Sequence, residues 1–149
     1  MLVGCNLTVA KHPPKEVNMQ HMIEVARHRD CLHLFPDTTT FDGCIYRIQP
    51  YFDQLPLKEK KEVALNFVIY GNLHAGPSIM FAELISPCNA QIIKYLRDVP
   101  NDRLQKDFWV WPWQLSDYRK QVEKFAEYNL PRGSNGVDFP EVECNLSNP

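Results

Sequence analysis

The sequence predicts a mainly α-helical fold: a single irregular bundle of roughly five to six helices, with room for a short N-terminal strand or hairpin. Three observations predict it. Apolar residues recur at three- and four-residue steps in several stretches, the spacing that lines one face of a helix. Helix-start signals recur between them, as prolines or capping residues just ahead of a periodic run. Glycine is scarce, six in all. This weighs against nucleotide-binding α/β folds, which need glycine where the backbone approaches a phosphate.

Residues 2–10 suit a short strand, because Val3, Thr8 and Val9 favour extended backbone, or else a coil arm. Pro13-Pro14 then leads into a helix over 15–29, whose Val17, Met19, Met22, Ile23 and Ala26 mostly share one side. Residues 31–43 read as a loop or turn, with Pro36, three consecutive threonines and Asp42-Gly43. Residues 44–49 suit a strand through Ile45, Tyr46 and Ile48, or a helical face through Phe41, Ile45, Ile48 and Phe52. Pro50 is awkward for either.

A clearer amphipathic helix covers 57–70. Lys58, Glu59, Lys60, Lys61 and Glu62 form its solvated first half, and Val63, Ala64, Phe67, Val68 and Tyr70 its buried half. Gly71-Asn72 is its stop. A short helix follows over 79–85. Ser86-Pro87 then starts another that runs to Asp98 and stops before Pro100. Asn101-Asp102 cap a helix ending near Phe108, and Ser116-Asp117 cap the last one. In that last helix Tyr118, Val122, Phe125 and Ala126 face inward, and Arg119, Lys120, Glu123 and Lys124 outward. The domain is read as 1–131, and 132–149 as an extended tail rich in Gly, Asn and Pro.

The chain has 149 residues and a net charge of −2. A basic surface for sequence-independent nucleic-acid binding is not expected, nor is a membrane span, since no apolar run approaches the ~18 residues needed. The five cysteines are an odd number, widely spaced and without a C-x-x-C pair. Reduced thiols in a cytoplasmic protein are the simplest reading. Asn6-Leu7-Thr8 and Asn145-Leu146-Ser147 match glycosylation sequons, which carry little weight without a signal sequence. No nucleophile elbow, phosphate-binding loop or dinucleotide fingerprint is present, so no cofactor is expected.

Three groups of residues compete for a functional role. All three tryptophans fall in one connector as Trp109, Trp111 and Trp113. In an extended segment they point to one side, and Phe108 and Val110 to the other. Such a ledge either locks the connector onto the core or faces a partner, tryptophan being the residue most enriched at binding hot spots. Arg103, Lys106 and Arg119 lie near enough to add charge or cation–π contacts.

The second group is in 78–97. Phe81, Ala82 and Ile85 can pack one helix inward, and Ile92 and Tyr95 a second. The stretch resembles the helix-turn-helix pattern of DNA-binding proteins. That resemblance implies that Asn89, Gln91, Lys94 and Arg97 are exposed and reach bases or phosphates. The turn departs from the family's pattern, with Ser86-Pro87 where glycine is preferred.

The third group is His21, His28, Cys31 and His33, with Glu24 between, whose side chains are good zinc ligands but match no common zinc spacing. The bland alternative is a polar helix face with His28 paired to Glu24. Asp37, Asp42 and Asp53 are further candidates for cation binding or acid–base work, though turn chemistry explains the first two. The leading expectation is a non-enzymatic interaction protein, an adaptor, inhibitor or accessory factor that binds a protein partner. A helix-turn-helix DNA-binding protein is the alternative, and a metal-dependent hydrolase a further one.

Overall fold

A computed structural model describes residues 17–28, 32–38, 40–73 and 88–129. They form a mainly helical bundle of six α-helices, with no strand among the described residues. In chain order these are α1 (Met19–His28), α2 (Phe41–Asp53), α3 (Leu57–Asn66), α4 (Asn89–Asp98), α5 (Asn101–Phe108) and α6 (Leu115–Asn129). A π-helical segment, Phe67–Leu73, continues α3, and a 3-10 turn, Pro112–Gln114, leads into α6. The N-terminal strand, the helix expected over 79–85 and the C-terminal tail lie outside the described residues.

The centre of the bundle is α3 with its π continuation, which packs against α1, α4 and α6. Val63, Ala64, Leu65, Val68 and Ile69 on this element are buried, facing a common core with Met22, Val25, Ile92, Leu96, Tyr118 and Val122. The change to π geometry follows Asn66, a buried residue whose side-chain amide donates to the Glu62 carbonyl at 2.9 Å. A side chain competing for a helical acceptor in this way loosens the regular ladder.

Several helix starts differ from the expected ones, each for a local reason. Helix α1 begins at Met19 because Asn18 caps it. The Asn18 Oδ1 accepts the His21 N–H at 3.0 Å, and the Asn18 N–H donates back to His21 Nδ1 at 3.1 Å. The expected loop gives way to helix at Phe41, so Asp42-Gly43 form its first turn. Thr40 makes that possible, its Oγ1 accepting the Gly43 N–H at 3.0 Å. A Cβ on Gly43 would stand 3.1 Å from that oxygen, so the glycine leaves the cap its room. The helical reading of 44–49 is the correct one, with Cys44, Ile48 and Phe52 buried on one side and Pro50 inside the helix. Helix α4 begins at Asn89, three residues beyond the expected Ser86 cap.

Two expectations about polarity are overturned. Lys60 is not on a solvated face but buried, with its Nζ 5.8 Å from the centre of the Phe52 ring. Burial pushes its pKa below the usual lysine value, and the Asp53 carboxylate opposes the shift. A four-carbon stem lets lysine cover apolar surface, which periodicity alone does not reveal. The cysteines are not all reduced: Cys44 and Cys88, both buried, are disulfide-bonded. Cys5, Cys31 and Cys144 lie outside the described residues.

Candidate functional site

Helix α5 hangs between two connectors, and both must deal with the orphan polar groups at helix ends. At Val99-Pro100 the difficulty is the end of α4. The Leu96 carbonyl would bond the N–H four residues on, but that residue is Pro100, which has none. The Tyr118 hydroxyl from α6 donates to it instead, at 2.7 Å. Burial raises the Tyr118 pKa, so this group stays a neutral donor. Arg119 takes the next carbonyls, with Nη1 on Arg97 at 2.9 Å and Nη2 on Val99 at 2.9 Å and on the Asn101 side chain at 2.6 Å. The expected outward Arg119 is thus half-buried and serves as the C-cap of α4.

The inner side of α5 is tied as firmly. Arg103 donates to Glu62 Oε1 at 2.7 Å and to the Tyr95 hydroxyl, which in turn donates to the other Glu62 oxygen. Burial opposes the guanidinium charge, but the bonds to Glu62 and Tyr95 outweigh it and raise the Arg103 pKa. Burial and the neighbouring Glu62 carboxylate raise that of Tyr95. Arg103 also lies over the Phe108 ring, 5.3 Å from its centre. Its charge therefore joins α3, α4 and α5, while Lys106 is exposed and pairs with Asp102 at 3.3 Å.

The second connector, 109–114, is built differently. Trp109 takes the left-handed conformation, φ 58° and ψ 30°, as the C-cap of α5. It is the only non-glycine residue with positive φ among the described residues. Its N–H and that of Val110 both donate to the Leu104 carbonyl, the second at 3.1 Å. Val110 is thereby driven into the core beside Phe108, at 2% exposure. Trp111 then extends, its N–H donating to Gln114 Oε1 at 3.1 Å and its carbonyl accepting the Gln114 N–H at 2.8 Å. Pro112, with no N–H to satisfy, opens the 3-10 turn. Helix α6 grows straight from that turn, so Ser116 lies within its first turn and does not cap it.

The alternation read from the sequence is present, although only part of the stretch is extended. Phe108 and Val110 are buried, while Trp109, Trp111 and Trp113 are 73%, 59% and 71% exposed. Among the described residues none of the three indoles has a hydrogen bond, ring contact or cation–π contact. Trp109 and Trp111, with Gln105, Val110 and Pro112, line an open groove of about 320 Å³. Among the described residues the other large exposed hydrophobics are Leu32 and Tyr46, in the 32–38 turn and in α2.

The other candidate residues are not brought together. Asn89 is buried, not exposed as the helix-turn-helix resemblance implied, because the helix starts with that side turned to the core. Gln91 is half-buried. Lys94 pairs with Asp98 at 3.3 Å, and Arg97 grips Glu123 through two bonds of 2.9 and 2.7 Å. His21 Nδ1 is engaged in the α1 cap, and His28 pairs with Glu24 at 3.2 Å, as the bland reading had it. His33 is exposed and Cys31 lies outside the described residues. Among the described residues no three His, Cys, Asp or Glu side chains converge in a way that could hold a metal ion. Asp37 is ion-paired with Arg47, and Asp53 faces Lys60. No helix among the described residues is long and apolar enough to cross a membrane.

Comparison of the chain with protein-family models, curated proteins and solved structures gives no match.

Proposed function

We propose that this protein is a non-enzymatic interaction protein, an adaptor, inhibitor or accessory factor, that captures a protein partner through Trp109, Trp111 and Trp113. The observation that carries the reading is the combination of exposure and backbone strain at Trp109. A left-handed conformation costs a side-chain-bearing residue roughly 1–2 kcal/mol, and glycine would take the position with little strain. The Trp109 side chain, 73% exposed, returns little of that in packing. A bulky side chain kept at a cap that glycine would make with less strain points to use of that side chain by something outside the fold.

The disulfide bonds at Cys44 and Cys88 support a place of work in an oxidising compartment, not the cytoplasm. The experiment uses oxidised full-length protein as bait against proteins of that compartment from its host. Trp109→Ala with Trp111→Ala is expected to lose a partner that the wild type retains, a binding loss of more than about tenfold. The melting temperature should change little, since exposed positions shift stability by about 0.5 kcal/mol or less. A large fall in melting temperature with capture retained would return the tryptophans to a structural role and sink the reading.

A further inference from the structure

We propose that Asn6 and Asn145 are sites of N-linked glycosylation, each taking an oligosaccharide on its side-chain amide. The proposal rests on the oxidising compartment inferred above and not on the tryptophan ledge.

The two sequons share more than the pattern that defines them. They read Cys5-Asn6-Leu7-Thr8 and Cys144-Asn145-Leu146-Ser147, the same four residues apart from one methyl group on the last side chain. Each has an acceptor asparagine, a middle residue that is not proline, and a hydroxyl two residues on. A three-residue match carries little information, but a tetrapeptide met twice in one chain carries more.

Their placement is a second observation. The asparagines of the described helical body are Asn18, Asn66, Asn72, Asn89, Asn101 and Asn129, and none of them has a serine or threonine two residues on. Asn66 and Asn89 are buried, and Asn18 is engaged in the cap of α1. A bulky, strongly hydrated sugar on any of these three would have to break packing or a cap. The pattern is kept out of the described helices and stands once on each side of them, at positions outside the described residues.

The compartment supplies the chemistry. Cys44 and Cys88 are disulfide-bonded, and disulfides form on exported chains, in the lumen of the endoplasmic reticulum among other places. The donor there is an oligosaccharide carried on a lipid diphosphate. The asparagine Nδ2 forms a bond to C1 of the first sugar, and the bond from that carbon to the diphosphate oxygen breaks. The amide gives up one proton and the lipid diphosphate leaves, so no oxidant or reductant is involved. A reducing cytoplasm would support neither the disulfides nor this transfer, and one location accounts for both.

The test is the intact mass of the full-length protein purified from its host, before and after treatment with peptide:N-glycosidase in heavy-oxygen water. A mass above that of the amino-acid chain is expected. The enzyme should remove the excess and leave labelled aspartate in place of asparagine at positions 6 and 145. Asn6→Gln and Asn145→Gln should each lose one of two mass steps, and the double variant both. Thr8→Ala should lose the same step as Asn6→Gln, and Thr8→Ser should keep it, because the hydroxyl is what the pattern requires. A wild-type protein of bare mass would overturn the proposal, and that measurement depends on no variant. So would sugar at only one of the two positions, or sugar that resists the enzyme and leaves in mild base, which marks attachment to hydroxyls. Alkylation of free thiols in the same sample separates this proposal from the reading it rests on. Bare mass with Cys44 and Cys88 oxidised removes the glycans and leaves the oxidising compartment standing. Bare mass with both thiols free removes the two together.

Discussion

The two ends of α5 solve one problem in opposite ways. At Val99-Pro100, side chains come from α6 to satisfy the backbone: Tyr118 on Leu96, and Arg119 on Arg97, Val99 and Asn101. At 109–114 the needs are met from within the segment and the helix before it, by the Leu104 and Trp111 carbonyls and the Gln114 side chain, and the three indoles are left outside. The first connector uses polar side chains to hold the fold. The second accepts a strained residue and leaves three indoles in solvent. An aromatic-rich connector is not a core connector by default, and an arginine near it is not a binding cation by default. What decides is which groups the local backbone leaves unmet.

If the first connector is structural, breaking it should cost stability and leave the ledge intact. Arg119→Ala removes three charge-assisted bonds and returns the end of α4 to water or to no partner. A loss of about 2–3 kcal/mol is expected, a fall of roughly 4–12 °C for a domain of this size, with affinity at the ledge unchanged once the protein is folded. Loss of ledge binding in the folded variant would mean that the two connectors act as one unit. Tyr118→Phe isolates a single bond. It leaves the Leu96 carbonyl facing a buried ring with Pro100 unable to donate, and about 1–1.5 kcal/mol should be lost by thermal or denaturant melting. A neutral result would show that water reaches that carbonyl.

Much of the second connector is legible in the sequence, and little of the first. The alternation of Phe108 and Val110 against the tryptophans follows from residue type and pleat, and it survives even though Trp109 is left-handed. The burial of Tyr118, Val122, Phe125 and Ala126 follows from helical spacing. The role of Arg119 does not, because it depends on where α6 crosses α4, a contact 22 residues apart in sequence for the Arg97 carbonyl. The same holds for Arg103, whose partner Glu62 is 41 residues away. Lys60 and Asn89 were misplaced because a polar residue with a long stem, or one at a helix start, can face inward without breaking apolar periodicity. The capping role of Thr40 was hidden among neighbouring threonines. Cysteine count and spacing misled outright, since neither carries information about which thiols meet in space.

The strain at Trp109 gives a smaller test of the opposite sign. Trp109→Gly should raise stability by about 1 kcal/mol, because glycine adopts positive φ without a Cβ clash. The gain is reduced by the larger backbone entropy of glycine in the unfolded chain. The melting temperature should rise while binding at the ledge is lost. A variant less stable than the wild type would mean that the exposed indole packs in a way that offsets its own strain, and the contrast between the connectors would narrow.

The smallest effect concerns the ion pair that closes over the first connector. Hydrogen bonds from Arg97 hold the Glu123 carboxyl below the usual carboxylate value, with burial opposing. A carboxyl whose pKa is depressed by folding adds stability above its unfolded value, near 4.5, and loses it as pH falls through the folded one. Both partners are about half exposed, so the contribution should stay below about 1 kcal/mol and shrink further with salt. Melting curves of wild type and Glu123→Gln should therefore differ by a small constant amount at neutral pH and converge in acid. None of the residues lining the groove titrates, because indole, valine, proline and a carboxamide keep one protonation state across this range. Partner capture by the folded protein should then be the same in both proteins over that pH interval. An affinity that differs between wild type and Glu123→Gln at neutral pH would show that the end of α4 and the tryptophan connector are coupled through α6.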